Sequence, residues 1–460
     1  MTKFETIGNA TLILYEGTNN HIPLLATDPW LDEDNAYFGS WKLSHKFPQV
    51  QRDAIKRVKY IFISHFHPDH LNLSSLKNFK QATIIIAQHY ASRVENDLRS
   101  AGFNVLSLPS KNWISIAKNI KVMLFNDEKQ DSSIAIHVED NIGNKSLILN
   151  LNDSGGIGDI KEISKLCGKY ERCFYLALHG YGDADMINLF NESGQRIEPR
   201  AAKKIPVGRG IMNSMKRFNC NIAIPFSSFH QYVRRDSFWA NKYTTPLADY
   251  KNGFNGSNKY RLLSPFQNII LKDGSFLSKE INPESILLKE PINESEFGDN
   301  WNEKLTAREI KQCQEYFYEK EELINNFKNI SIDVGGIETF MIKNGRGIAS
   351  LKFEVPRASL IKAIRREIFD DLLIGNFMKT TLINTKSLYN PDFALLTTKY
   401  ADNGGAKTTE ELKEYFAYYN NRRSKQDKNY ISYIKLKNKL RLLIEDSSIN
   451  ELSKKLRKMF

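Results

Sequence analysis

Nine histidines occur in 460 residues, and three of them fall within six positions, in Ser64-His65-Phe66-His67-Pro68-Asp69-His70. The run follows Val58-Lys59-Tyr60-Ile61-Phe62-Ile63, an apolar, β-branched and aromatic stretch that reads as a buried strand. In extended backbone alternate side chains share a face, so His65 and His67 point to one side while Asp69 and His70 turn to another. Pro68 fixes the backbone between them. Imidazoles with a carboxylate suit zinc, iron or manganese, so the loop predicts a metal centre at a strand end.

Composition bounds the rest. With 41% hydrophobic and 26% charged residues the chain has a globular balance and length for more than one domain. The net charge is +12, and residues 420–460 carry twelve Lys/Arg against four Asp/Glu, 12 − 4 = +8. That balance predicts an anionic partner or a solvated basic helix. Cys167, Cys173, Cys220 and Cys313 form no metal-ligand spacing and read as buried, reduced thiols. The N-terminus lacks a signal-peptide pattern and no run approaches a membrane span, so a cytoplasmic protein is expected.

Short strands alternate with helical segments through the first 300 residues, which predicts α/β layering. Residues 301–329 read as a charged helical connector, and residues 330–460 as an α+β region ending in a basic helical tail.

Residues 63–71 resemble the HxHxDH element of the metallo-β-lactamase superfamily. The resemblance implies an αββα sandwich with two divalent metal ions, zinc, iron or manganese, held by loops at one edge. It implies that His65, His67, Asp69, His70, Asp153 (in Asn150-Leu151-Asn152-Asp153) and His230 (in Pro225-Phe226-Ser227-Ser228-Phe229-His230) are ligands. Asp28, in Thr27-Asp28-Pro29-Trp30, would steady the metal loop by hydrogen bonding. The superfamily's histidine between the first motif and Asp153 has no direct counterpart. Asp127 stands first for that place, as a loop residue at a strand end, and His137, within a strand, second; His89 reads as a cap or polar wall.

The wider pattern, including Asp131-Ser132-Ser133-Ile134 and Phe353-Glu354-Val355-Pro356, resembles the CMP-N-acetylneuraminate hydroxylase branch. Here the Cys/His pairs of a Rieske cluster are missing, so hydroxylation would need a separate redox partner. Metal-dependent hydrolysis of an anionic, phosphorylated or nucleotide-linked small molecule is the simpler expectation. Asp69 would guide the proton of the attacking water, and His179 would be an acid/base or substrate-contact residue. Tyr181, in the same Gly/Tyr/Asp loop, and the pair Arg234-Arg235 are the candidate substrate contacts, the arginines for a phosphate or carboxylate. Nucleic-acid processing is disfavoured because no cap domain of the nuclease branches is evident.

Overall fold

The computed structural model describes residues 2–17, 22–140, 142–156, 158–288 and 290–434. The expected basic tail falls largely outside the described residues. No helix among the described residues is long and apolar enough to cross a membrane.

Two mixed sheets face each other. The first has eight strands in the order Ser275–Glu280, Gln267–Lys272, Thr2–Ile7, Thr11–Glu16, Ile22–Thr27, Tyr60–Phe62, Thr83–Ala87, Asn104–Leu108. The second has seven: Arg261–Leu262, Ile222–Pro225, Arg172–Ala177, Lys145–Asn152, Ser132–Glu139, Ile120–Asn126, Ile114–Ala117. Period-two alternation builds the layer between them, with Phe4, Leu12, Leu14, Leu25 and Phe62 of the first sheet against Ile134, Ile136, Ile148, Phe174 and Ile224 of the second. The opposite faces are covered by helices. Ala54, Ile55, Leu76 and Leu98 lie in the core formed with Ile13, Ala26 and Ile61, while Ile160, Ile163, Ile211 and Met215 share that core with Leu147, Leu149 and Tyr175. Because both faces are buried, Lys145–Asn152 is buried at every position after its first residue.

Part of each sheet is parallel. Ile22–Thr27, Tyr60–Phe62 and Thr83–Ala87 run together in one, and Lys145–Asn152, Arg172–Ala177 and Ile222–Pro225 in the other. Parallel strands deliver their carboxyl ends to one edge, where ligands collect in such sheets. Thr27, Phe62, Asn152, Ala177 and Pro225 all end there, and the residues that follow them are Asp28, the His65–His70 loop, Asp153, His179 and Ser227. The predicted αββα class is therefore present.

Strand register also settles the direction of His137. Ile134, Ile136 and Val138 face the inter-sheet core, so His137 takes the outer face, where its Nδ1 lies 2.9 Å from the Tyr170 hydroxyl.

Beyond residue 300 a third sheet forms, in the order Leu189–Phe190, Lys379–Ile383, Ala349–Glu354, Phe327–Val334, Ile337–Ile342. The segment read as a connector contains the helices Ala307–Tyr318 and Glu321–Asn326 and places Cys313, Tyr316, Phe317 and Leu323 in the core of this sheet. Thr306 and Glu309 form a capping box at the first helix, which fixes where it begins. Leu189–Phe190, from the first 300 residues, pairs in parallel with Lys379–Ile383. The C-terminal region thus shares a sheet with the part of the chain that carries the metal loop.

Candidate metal centre

Asp28 organises the loop from below. It sits at a strand end with a φ of 38°, a conformation that turns its fully buried carboxylate beneath the histidines. One oxygen accepts the Ser64 amide at 2.8 Å; the other accepts the Ser64 hydroxyl at 2.7 Å, lies 3.0 Å from His70 Nδ1, and accepts the Asn152 side-chain amide. Fixing Nδ1 in this way turns His70 Nε2 toward the carboxylates. Asp28→Asn would oppose an amide N–H to these donors. Metal affinity is therefore expected to fall about 10- to 100-fold, measured by competition with a chromophoric chelator; unchanged affinity would refute this role.

His70 Nε2 is buried without a hydrogen-bond partner, 3.3 Å from Asp69 Oδ2 and 3.6 Å from Asp153 Oδ2. Donor atoms of His65, His70 and Asp153 all lie within 4.8 Å of one another. Burial disfavours a charged His70, yet Asp69 and Asp153 outweigh it and raise its pKa well above the ordinary range. Burial, and then His70 and His67, hold His65 well below it. An unpartnered buried nitrogen, a neutral imidazole and a carboxylate around one point fit a divalent ion.

The other expected ligands are distributed around this point. His67 Nδ1 faces His65 Nε2 at 2.9 Å, and His67 Nε2 meets Asp370 Oδ2 at 3.1 Å. Asp69 is held by the Asn9 side-chain amide at 2.9 Å and the Tyr37 hydroxyl at 2.7 Å. His230 is buried and stacked on Trp41, with ring centroids 3.4 Å apart and planes 4° from parallel. Neither of its nitrogens has a hydrogen-bond partner, and Nε2 lies 3.4 Å from an Asp183 carboxylate oxygen. Burial lowers the His230 pKa to about 3 and raises that of Asp183 to about 7.

Asp127 is not brought to this centre. Its Oδ1 accepts the Lys129 and Asp131 backbone amides and closes a local turn. Burial, and next Asp131, push its pKa to about 7. The folded chain thus binds a proton there that the unfolded chain, at the ordinary value of 3.8, releases. Stability is accordingly lost as pH rises from about 4 to about 7. Asp127→Asn keeps the acceptor and lacks the titration, so the gain in urea midpoint over the unaltered protein should be larger at pH 8 than at pH 5. An equal change at both pH values would contradict this. His89, the further alternative, is bound to the Tyr419 hydroxyl at 3.0 Å and the Ser132 hydroxyl at 2.8 Å.

Above the histidines opens a cavity of about 590 Å³ walled by His67, Asp69, Asp131, Asp153, Asp183, Asp370 and Lys399. His179 and Tyr181 line it as well. Burial lowers the His179 pKa to about 4, leaving a neutral imidazole with Nε2 3.0 Å from the Tyr175 hydroxyl. Tyr181 donates to Asp249 at 2.5 Å. Ser227 and Ser228 face the cavity with φ of 99° and 68°, rare for residues with a Cβ. The expected arginine grip lies elsewhere. Arg234 is fully buried between Asp236 and Asp299 and stacked on Phe377, and Arg235 points outward, 4.0 Å from Glu294. The cations that line the cavity are Lys129, Arg200, Arg209 and Lys399.

Sequence reasoning missed Asp370 and Lys399. The signal for the first was present, since two adjacent acids interrupt the otherwise apolar Phe369–Ile374, a helix buried at all six positions.

No family model matches the chain. It is 30% identical over 79 residues to a protein described as a Rieske 2Fe-2S iron–sulfur protein of Mycolicibacterium smegmatis, covering 17% of this chain and 15% of that one. It is 30% identical over 110 residues to the cytidine monophosphate-N-acetylneuraminic acid hydroxylase of Asterias rubens, covering 23% and 17%. The chain thus spans about a sixth of the length of these curated relatives. Among solved structures it is similar to an isothiocyanate hydrolase from Delia radicum gut bacteria (13% identity, TM-score 0.37, 58% of this chain and 99% of that chain). It is also similar to a diphosphatase of the PhnP family (9%, TM-score 0.33, 62% and 100%) and to the metallo-β-lactamase MIM-1 of Novosphingobium pentaromativorans (10%, TM-score 0.22, 54% and 84%). Its two facing sheets, flanking helices and strand-end histidine loop give this chain the metallo-β-lactamase fold.

Proposed function

We propose that this protein is a metal-dependent hydrolase of an anionic small molecule. The observation that carries the reading is the convergence of His65 and His70 on Asp153, which lines a cavity that also presents Lys129, Arg200 and Arg209. A bound divalent ion supplies Lewis acidity and lowers the pKa of a coordinated water toward 7. The cavity cations would take a phosphate or carboxylate, the role the sequence placed on Arg234 and Arg235. Asp69, pinned by Asn9 and Tyr37 and held ionised beside His70, keeps its carboxylate at the cavity wall, where it can accept a hydrogen bond from water and orient it. His179, neutral at pH 7, can accept a proton, and Ser228 offers a hydroxyl to the substrate, while the Tyr181 hydroxyl is taken by Asp249.

A second reading is an iron oxygenase served by a separate electron donor. It is favoured by the two sequence relatives and by the donor set, since two histidines and one carboxylate also suit non-haem iron. Metal content and turnover separate the two. The hydrolase reading expects zinc or manganese in the purified protein and chelator-sensitive cleavage of model phosphodiesters, phosphomonoesters or lactones. Iron in the purified protein, with oxygen uptake on reduction and no hydrolysis of any of these substrates, would overturn it.

A further inference from the structure

We propose that Cys167, Cys173 and Cys220 form a buried three-sulfur site for a trivalent thiophilic centre, arsenic or antimony, separate from the histidine centre. Their spacing in sequence hides the site, and the fold assembles it. Cys167 is the last residue of the helix Ile160–Cys167, and Cys173 is the second of the strand Arg172–Ala177. Cys220 lies in the turn between the helix Val207–Phe218 and the strand Ile222–Pro225. All three are buried, their sulfurs lie within 4.8 Å of one another, and Cys173 Sγ is 3.2 Å from Cys220 Sγ. Two sulfurs on one ion, each at about 2.3 Å from it, are at most about 4.6 Å apart, so the triangle needs little closing. The parallel strands carry their carboxyl ends to the histidine centre. Cys173 therefore sits at the opposite edge, about 13 Å along its strand from Ala177.

The backbone holds the three in place. Cys173 N–H donates to Asn221 Oδ1 at 2.9 Å, and Asn221 N–H donates to the Cys173 carbonyl at 3.2 Å. The Asn219 side-chain amide donates to the Ser164 carbonyl and hydroxyl at 3.3 and 3.0 Å, which ties the Cys220 turn to the helix of Cys167. A donor set ordered in advance costs less entropy on binding. Exposed Gly168 and Lys169 follow Cys167 and exposed Asn219 precedes Cys220, so local opening of these turns admits a ligand.

The donors select the ion. Sulfur alone suits soft centres and not magnesium, calcium or manganese. Among the described residues no imidazole or carboxylate joins the group, and burial denies a water the fourth position that tetrahedral zinc takes. Charge narrows the choice further. Burial raises the Cys173 pKa, hydrogen bonds from Cys173 and Cys220 lower that of Cys167, and no cation acts on either. Three thiolates around a cuprous ion would leave two negative charges in the core, and around zinc one. A trivalent centre leaves none, and uncompensated buried charge is costly. Counted from three thiols and arsenous acid, binding forms three As–S bonds, breaks three As–OH bonds and releases three waters. Arsenic stays trivalent throughout.

Arsenite added to the reduced full-length protein tests the proposal, read by native mass spectrometry and near-ultraviolet absorption. One arsenic per chain is expected, at a mass that counts three released waters, with a sulfur-to-arsenic absorption band and a thermal midpoint that rises with arsenite. Cys167→Ala and Cys220→Ala should each weaken binding about a hundredfold by loss of the third tethered donor. Cys313→Ala, in the core of the C-terminal sheet, should bind as the unaltered protein does. Circular dichroism confirms folding, and if a triad variant fails to fold, the mass count on the unaltered protein decides alone. No bound arsenic, arsenic held by two sulfurs with a hydroxide retained, or tight binding by folded Cys220→Ala would overturn the site. Exclusion of arsenite by excess zinc would overturn the choice of a trivalent centre. None of these readouts depends on the hydrolase reading.

Discussion

His70→Ala is expected to leave the protein folded and to abolish tight metal binding. The residue supplies one of three converging donors, and its Nε2 is buried with no hydrogen-bond partner, so nothing in the chain replaces it. Zinc-site free energies of about 10–16 kcal/mol spread over four ligands correspond to roughly 3 kcal/mol per ligand, or about two orders of magnitude in affinity. The loss should exceed that of Asp28→Asn, because Asp28 acts through the orientation of His70 and the loop. The fold should survive, because the two sheets are joined by an apolar layer that does not include His70. Metal counting and thermal denaturation on the same sample check both halves. A full metal complement in the variant would remove His70 from the donor set.

Arg234→Ala should produce the largest loss of stability among single changes at the candidate residues. Its guanidinium has no exposed surface and bonds the Asp236 carboxylate at 2.9 Å, Asp299 at 2.7 Å and the Phe38 carbonyl at 2.9 Å. Asp299 also accepts the Ser359 amide and hydroxyl at the start of the helix Arg357–Arg366, so the arginine joins the metal-loop half of the chain to the C-terminal sheet region. Removing one member of a buried ion pair leaves the partner charge uncompensated and costs about 3–5 kcal/mol. Replacing Arg234 by Met together with Asp236 and Asp299 by Asn should recover much of that, since the uncompensated charges are then gone. Urea unfolding of the single and triple variants measures both effects. A midpoint unchanged by Arg234→Ala would show that the network contributes nothing net.

The histidine loop was legible because its chemistry is local. Histidines at alternate positions after an apolar strand specify a site before anything is known of the rest of the chain. Asp28, Asp153 and His179 were legible for a related reason, since each follows a strand whose carboxyl end reaches the same edge. The partners of these residues were not. His67 meets Asp370 across 303 positions and Asp131 meets Lys399 across 268, and no periodicity encodes such contacts. Arg234 looked like a substrate clamp because its neighbourhood in sequence is polar; Asp299, 65 positions away, makes it a buried brace. His137 depended on register, which shifts a side chain to the opposite face with a slip of one residue.

The most direct measurement is anomalous diffraction from a crystal of metal-loaded protein, collected on both sides of the absorption edge of the metal. A strong anomalous peak within coordination distance of His65, His70 and Asp153 is the predicted result. A metal-loaded protein with no peak there, or with its peak on other residues, would contradict the account at its centre.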